Sequence, residues 1–338
     1  MNRSSFFAAC ALAAANFLLP AAPPAFAADA ATPAPSFAGT RWALTLPNGA
    51  AGWLGITENN GKLEGSLLWG GGNPFPVDVA AKDAALVVTR THRERRRTVT
   101  ETLVATPSAD GSLAVTQTFT ADGKEVRRGA KFSGKRIPAL PPRPDLSKLV
   151  FGEPVKLIAD GDALNNKWAV MNKRAFNGWS LKNGVLSNSV VFNGKPRHGT
   201  NLRTQASDFT DFNLKVEVCM AKDGNSGIYL RGIYEIQMAD SYGKKPDHFN
   251  MGALYGRIAP SVAAEKPAGE WQTVDITLVD RHVTVILNGK KIIDNQPVLG
   301  CTGGALTADE FLPGPIYLQG DHTNVSYRNM VLTPIKRG

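Results

Sequence analysis

The chain has 338 residues, 20% of them charged and 8% aromatic, with a formal net charge of +9 at neutral pH and three cysteines. That length allows two domains, each able to bury a core, while so few cysteines cannot make a disulfide framework. The basic charge is densest at Arg90, Arg93, Arg95, Arg96 and Arg97, where no aromatic residue interleaves to stack bases, so a solvated strand face is expected there and no nucleic-acid partner.

The N-terminus reads as a secretory signal peptide over residues 1–27. Arg3 supplies the positive start, Phe6 to Leu19 is an apolar run broken by Asn16, and Ala25-Phe26-Ala27 provides small residues for cleavage. The run is too short for a membrane span, and no later window is apolar for long enough, so an exported protein, periplasmic or secreted, is expected. Cys10 falls inside this segment, too early to be a lipid-attachment site. Cys219 and Cys301 remain; an exported compartment permits a bridge between them, and a core position for Cys219 is the alternative.

Residues 28–37, rich in Ala and Pro, form a disordered lead-in. Residues 38–136 then carry short β signals about every ten residues, separated by Pro47-Asn-Gly49, Asn59-Asn-Gly61, Gly70-Gly-Gly72 and Ala121-Asp-Gly123. Helical periodicity is absent, which predicts a small β-meander or barrel without a catalytic constellation. Pro138, Pro141, Pro142 and Pro144 make residues 137–148 a stiff, poorly hydrogen-bonded linker. From 149 to 336, strand signals again alternate with Gly, Asn and Pro turns, which predicts a two-sheet β-sandwich. The expected fold class is all-β throughout.

Polar chemistry concentrates in Gly224-Asn-Ser-Gly-Ile-Tyr-Leu-Arg-Gly-Ile-Tyr-Glu-Ile-Gln-Met-Ala-Asp-Ser-Tyr-Gly243. Ile228, Leu230, Ile236 and Met238 alternate with Tyr229, Arg231, Glu235 and Gln237, and the stretch ends at Asp240, so one side is oily and the other is built for water or a polar cleft. A tight turn at Gly232-Ile233 would let Arg231 approach Glu235; an ordinary cross-strand ion pair is the plain alternative. Glu217 shares the polar face of its strand with Asn213 and Lys215. Tyr255 and Arg257 lie among glycines that allow close approach of a ligand, and Tyr317, Gln319 and Asp321 alternate with Ile316 and Leu318 ahead of His322. Of five histidines, His322 and then His248 stand nearest these motifs, and His92, His198 and His282 are expected on the surface. No zinc spacing occurs; a divalent cation such as Ca²⁺ could be held by Asp240, Glu235 or Asp321, although nothing demands a cofactor. Phosphate loops and nucleophile elbows are absent.

The stretch 224–243 resembles the 3-keto-disaccharide hydrolase family. The resemblance continues in order through Gly252-Ala-Leu-Tyr-Gly-Arg-Ile-Ala-Pro260, Pro267-Ala-Gly-Glu-Trp-Gln-Thr273, Leu287-Asn-Gly289, Gly314-Pro-Ile-Tyr-Leu-Gln-Gly-Asp-His322 and Tyr327-Arg-Asn329, covering roughly residues 150–336. It implies a concanavalin-like jelly roll, an acidic residue at the position of Glu217, and cleavage of 3-keto-glycosidic bonds in a small carbohydrate substrate. The C3 ketone acidifies the C2 proton, so a base can remove it, the group on C1 can leave, and water can add back. His322, Glu235 or Asp240 is the expected base and Arg231, or a metal ion, the enolate stabiliser, with Glu217, Gln237, Tyr255, Arg257, Gln319 and Asp321 expected to bind substrate. Direct hydrolysis by Glu217 and Glu235 is a second chemical route. A non-catalytic carbohydrate-binding protein is the reading from another class, and a structural envelope protein a third. Aglycone, anomer and oligomeric state stay open.

Overall fold

In the computed structural model residues 37–336 are described; the expected signal peptide at 1–27 and the lead-in as far as residue 36 lie outside them, as do residues 337–338. The N-terminal strands are β1 (Arg41–Thr45), β2 (Ala51–Asn59), β3 (Lys62–Trp69), β4 (Phe75–Lys82), β5 (Ala85–Glu94), β6 (Arg97–Pro107), β7 (Ser112–Ala121), β8 (Lys124–Arg127) and β9 (Lys131–Arg136). Neighbours in sequence pair from β1 to β7, and β9 bridges β7 to β1, which closes an eight-stranded barrel with β8 hanging from β7. Strand alternation fills the inside: Leu113, Val115, Gln117 and Phe119 of β7 are buried while Ala114, Thr116 and Thr118 are exposed. Tight hairpins set the register. Asn60 and Gly61 both take left-handed φ (50° and 76°) between β2 and β3, as the two-residue turn requires.

The second part runs β10 (Val150–Phe151), β11 (Val155–Lys156), a four-residue helix α1 (Leu164–Lys167), β12 (Trp168–Val170), β13 (Trp179–Lys182), β14 (Val185–Asn188), β15 (Val191–Phe192), β16 (Lys195–Pro196) and β17 (Leu202–Thr204). It continues with β18 (Phe212–Met220), β19 (Asn225–Leu230), β20 (Tyr234–Ala239), β21 (Trp271–Val279), β22 (His282–Leu287), β23 (Lys290–Pro297), β24 (Tyr317–Leu318) and β25 (Val325–Lys336). One sheet has the order β13-β14-β25-β18-β21-β22-β23 and the other β12-β17-β24-β19-β20. From β17 to β25 the chain passes repeatedly between the two sheets, the strand exchange of a jelly roll, so the chain is all-β as expected. Asn288 and Gly289, both at positive φ, turn β22 into β23 at the Leu287-Asn-Gly289 signal.

The oily sides of the two sheets meet in one core that includes Ile228, Leu230, Ile236 and Met238 from the front sheet and Leu214, Val216 and Val218 from the back sheet. The same core takes in Ala43, Ala51, Trp53 and Leu68, residues of β1 to β3, whereas Trp42, Leu44, Leu54 and Leu67 pack inside the barrel. Alternate residues of the same strands therefore serve two cores, and barrel and sandwich fall in one compact unit. The proline-rich segment is not the poorly bonded linker expected from its composition. The Arg281 guanidinium donates to the carbonyls of Pro138 and Ala139, Asn295 donates to Pro144 O at 2.8 Å, and Arg143 donates to Asp294 O. Proline removes donors but leaves carbonyls, and here sandwich side chains take them. Among the described residues no helix is long and apolar enough to cross a membrane.

Candidate active site

The motif at 224–243 folds as the hairpin β19–β20 with Tyr229 opposite Glu235 and Gly227 opposite Gln237. On the other side of β19, β24 places Tyr317 opposite Tyr229. Tyr317, Tyr229 and Glu235 thus form one row across three strands, pointing away from the core because Ile228, Leu230 and Ile236 occupy it. The two tyrosine rings stack with centroids 4.1 Å apart and an interplanar angle of 10°. The segment after β20 folds back along its free edge: Tyr255 N donates to Glu235 O and Gln237 N to Ala253 O, which seats Tyr255 beside Glu235.

Above this row lies a cleft of about 140 Å³ lined by Asn225, Tyr229, Glu235, Tyr255, Gly303, Gly304 and Gln319, with Gly71 and Gly72 of the barrel closing one side. Glu235 is 3% exposed. Burial pushes its carboxyl up to about 8, partly opposed by the Tyr229 hydroxyl and the charge of His322. Hydrogen-bond counting leads to the same state. The Tyr229 hydroxyl is 2.7 Å from Gly303 O and 2.8 Å from Glu235 Oε2, yet it has one proton, and a carbonyl can only accept. Both contacts are satisfied when Tyr229 donates to Gly303 and Glu235 donates to Tyr229 as a neutral acid. The glycines are part of this arrangement: a Cβ on Gly227 would lie 2.2 Å from Glu235 Oε1, and one on Gly304 would lie 2.7 Å from the Tyr229 hydroxyl.

His322 sits at the rim. Its Nδ1 is 2.8 Å from Asp321 Oδ1, and its Nε2 is 3.4 Å from the Asn225 amide nitrogen. Asn225 Oδ1 accepts from Gln237 Nε2 at 3.0 Å, which turns the Asn225 NH₂ toward the imidazole. The chain of donors runs from Gln237 through Asn225 to His322 and on to Asp321, leaving a proton on Nδ1 and a lone pair on Nε2. The Asp321 hydrogen bond raises the affinity of His322 for a proton and lowers the pKa of Asp321 itself. Glu235 and His322 lie close enough for the charge of each to bear on the other. Gln319 Oε1, on a residue that lines the cleft, is buried and has no hydrogen-bond partner among the described residues, an acceptor open to a ligand hydroxyl.

Glu235, Gln319 and Tyr255 therefore line the cleft, His322, Asp321 and Gln237 connect to it through Asn225, and four other candidates lie elsewhere. Arg231 does not approach Glu235. It takes left-handed φ (56°) in the β19–β20 turn, is buried, donates to Glu310 O and lies 5.7 Å from the Tyr234 ring, so it cannot serve an enolate in the cleft. Asp240 accepts from the Asp223 amide at 2.9 Å and braces the 221–224 turn. Glu217 is on β18, on the outer face of the opposite sheet, clasped by Arg328 at 2.6 and 2.8 Å and by Asn329 at 2.7 Å; it cannot pair with Glu235 across a sugar. Arg257 donates to Leu299 O and Cys301 O and stacks 4.6 Å over Trp53 of the barrel, joining the two parts of the molecule instead of binding substrate.

The carboxylates considered for a cation do not converge, and no group of three or more His, Cys, Asp or Glu able to hold a metal occurs among the described residues. His282 is buried, with Nδ1 2.9 Å from Asp280 O, and is not the surface residue expected. Cys219, half-buried, and Cys301, buried, are both free. Residues that the motif reading passed over are Asn225, Tyr229 and Tyr317, each of which lay in the quoted segments and was marked only by sharing the polar strand face.

No curated protein matches the chain in sequence. Among solved structures, a protein of Parabacteroides distasonis named provisionally as a glycosyl hydrolase is 25% identical, covering 58% of this chain and 93% of that one at a TM-score of 0.42. A second from the same organism, named likewise, is 24% identical over 54% and 98% at 0.40, and LamAcat from Zobellia galactanivorans is 10% identical over 54% and 97% at 0.33. Residues 154–333, more than half of the chain, match a known family along their length, and the protein accordingly belongs to the family of 3-keto-alpha-glucoside-1,2-lyase-like domains.

Proposed function

We propose that this protein is an exported enzyme that cleaves the glycosidic bond of 3-keto-glycosides by elimination, followed by hydration of the unsaturated sugar. The observation that carries this reading is the pairing, at one small cleft, of a buried proton-bearing Glu235 with a histidine oriented by Asp321. A surface that only holds sugars has no need of a desolvated acid beside an aspartate-held imidazole, so the binding-only reading is the weaker one.

His322 Nε2 takes the proton from C2, and the electron pair moves into the C2–C3 bond and onto the C3 oxygen as an enolate. The enolate then collapses, forming the C1–C2 double bond as the C1–O bond breaks, and Glu235 delivers its proton to the departing oxygen. Water next adds across that double bond: Glu235 takes a proton from the water as its hydroxyl bonds to C1, and His322 gives its proton to C2, which returns both groups to their starting states. Each proton transfer is of the kind worth about 10²–10⁴-fold in rate. Asp321 holds the imidazole in the tautomer this needs, and Gln319 and Tyr255 offer partners for sugar hydroxyls.

The test is to supply a 3-keto-glucoside in D₂O and follow both the released alcohol and the C2 position of the sugar, against a control without enzyme. Release with enzyme-dependent deuterium at C2 is expected. Release with protium retained at C2 and no unsaturated sugar detected on rapid quenching would reject elimination, and no release would reject the activity. His322→Ala and Glu235→Gln should each lower kcat by about 10²–10⁴-fold, whereas Glu217→Ala, on the far sheet, should leave it unchanged.

A further inference from the structure

The barrel had no chemistry to suggest a part in the site, yet one of its loops closes the cleft. Between β3 and β4, Gly70-Gly71-Gly72-Asn73 reaches the sandwich, and Gly304 N donates to Gly70 O at 3.0 Å. The two backbones meet without side chains between them. A Cβ on Gly303 would lie 2.0 Å from Gly72 O, and one on Gly256, the residue after Tyr255, would lie 2.7 Å from Asn73 Cβ. Glycines on both partners bring the loop to within lining distance of Glu235 and Tyr229. Behind it the loop is fixed by the shared core and by Arg257 stacked on Trp53.

We infer that this barrel loop selects the substrate, restricting the enzyme to short glycosides by closing the cleft beyond a single sugar ring; the inference rests on the function proposed above. The cleft, at about 140 Å³, is well below the roughly 300–1,000 Å³ of sites for drug-sized ligands, and the Gly71–Gly72 wall stands across one side of it, where a further sugar unit would have to pass. Gly71 is the position that controls the wall. It lines the cleft, a Cβ there would meet nothing within 4 Å, and its φ is not left-handed, so a side chain can be added without strain.

The experiment compares the full-length protein with Gly71→Ala and Gly71→Trp on a 3-keto-disaccharide and on a 3-keto-tetrasaccharide carrying the keto group internally. The wild type is expected to turn over the disaccharide at least tenfold more efficiently. Gly71→Trp should lose at least tenfold in kcat/KM on the disaccharide, mainly through KM, with an unchanged unfolding midpoint, and Gly71→Ala should fall between the two. Equal kinetics of wild type and Gly71→Trp, or equal use of the two substrates by the wild type, would overturn the wall. If the wild type releases nothing from any 3-keto-glycoside, the proposed function fails by itself, and calorimetric binding of 3-keto-glucose then decides the wall: at least tenfold weaker binding by Gly71→Trp supports it, and equal binding, or none to the wild type, overturns it.

Discussion

Glu235 shows how much of a residue's chemistry comes from its surroundings. A glutamate at a strand position reads as a wet carboxylate or half of an ion pair, and which it is depends on the groups stacked over it. Here Tyr229, Tyr255 and the backbone of Gly303 and Gly304 exclude water, and a pKa of about 8 follows from that burial. The shift has a consequence for stability whose sign is fixed by linkage. With the folded-state pKa raised, the native protein keeps a proton that the unfolded chain has lost once the pH passes the ordinary glutamate range. The contribution of Glu235 to stability is therefore full below that range and declines as pH rises to about 8, by something on the order of a few kcal/mol. Glu235→Gln should flatten this part of the urea-midpoint profile between pH 5 and 8, and an unchanged profile would mean that Glu235 is ionised in the cleft. Arg231 makes the opposite point: three residues from the hairpin's far side, it looked like a partner for Glu235, but its left-handed backbone in the turn sends the guanidinium to Glu310.

At the scale of elements, the site is a row across three strands plus one loop. The alternation of oily and polar residues in 228–238 was legible, and with it the fact that Tyr229, Glu235 and Gln237 would share a face, because side chains alternate along any strand. That β24 would lie beside β19 and put Tyr317 on Tyr229 was not, since that pairing joins segments nearly ninety residues apart. Asp321 and His322 come from the loop after β24, and their function depends on the hydrogen bond between them. Activity should therefore follow a bell in kcat/KM, with an acidic limb where His322 gains its proton, above the usual histidine range, and an alkaline limb near pH 8 where Glu235 loses its own. In Asp321→Asn the acidic limb should move to lower pH, because the carboxylate that raised the imidazole is gone, and kcat should fall as the tautomer is no longer held. A limb that stays in place would assign it to another group.

For the molecule as a whole, barrel and sandwich are joined in a way that their separate strand patterns do not reveal. Trp53, Ala43, Ala51 and Leu68 lie in the sandwich core, Arg281 holds the carbonyls of Pro138 and Ala139, and the same Arg281 lies 3.7 Å from the buried Glu310. Shared packing of this kind predicts a single cooperative unfolding transition. Tryptophans lie in both parts, at 42, 53 and 69 and at 168, 179 and 271, so fluorescence and far-ultraviolet circular dichroism should give coincident urea curves. Arg281→Ala should move both together, by about 1–3 kcal/mol, since it removes the donor to Pro138 O and Ala139 O and the charge beside Glu310, which keeps its hydrogen bond from the Tyr234 hydroxyl. Two separated transitions would show that the barrel folds independently of the sandwich.

Local pattern alone was enough for the all-β class, the hairpins at Asn60-Gly61 and Asn288-Gly289, and a hydrophilic strand face bearing Glu235 with a histidine motif elsewhere. These depend on backbone conformations and periodicities that neighbouring residues impose on each other. Tertiary structure decided the rest: that Glu235 is dry while Glu217 is clasped on the outer face, that Arg257 joins two parts instead of holding a sugar, and that two glycines of a barrel loop close the cleft. Desolvation and backbone-to-backbone approach are properties of what lies across a gap, and the residues across this gap are as far apart in the chain as Gly71 and Gly303.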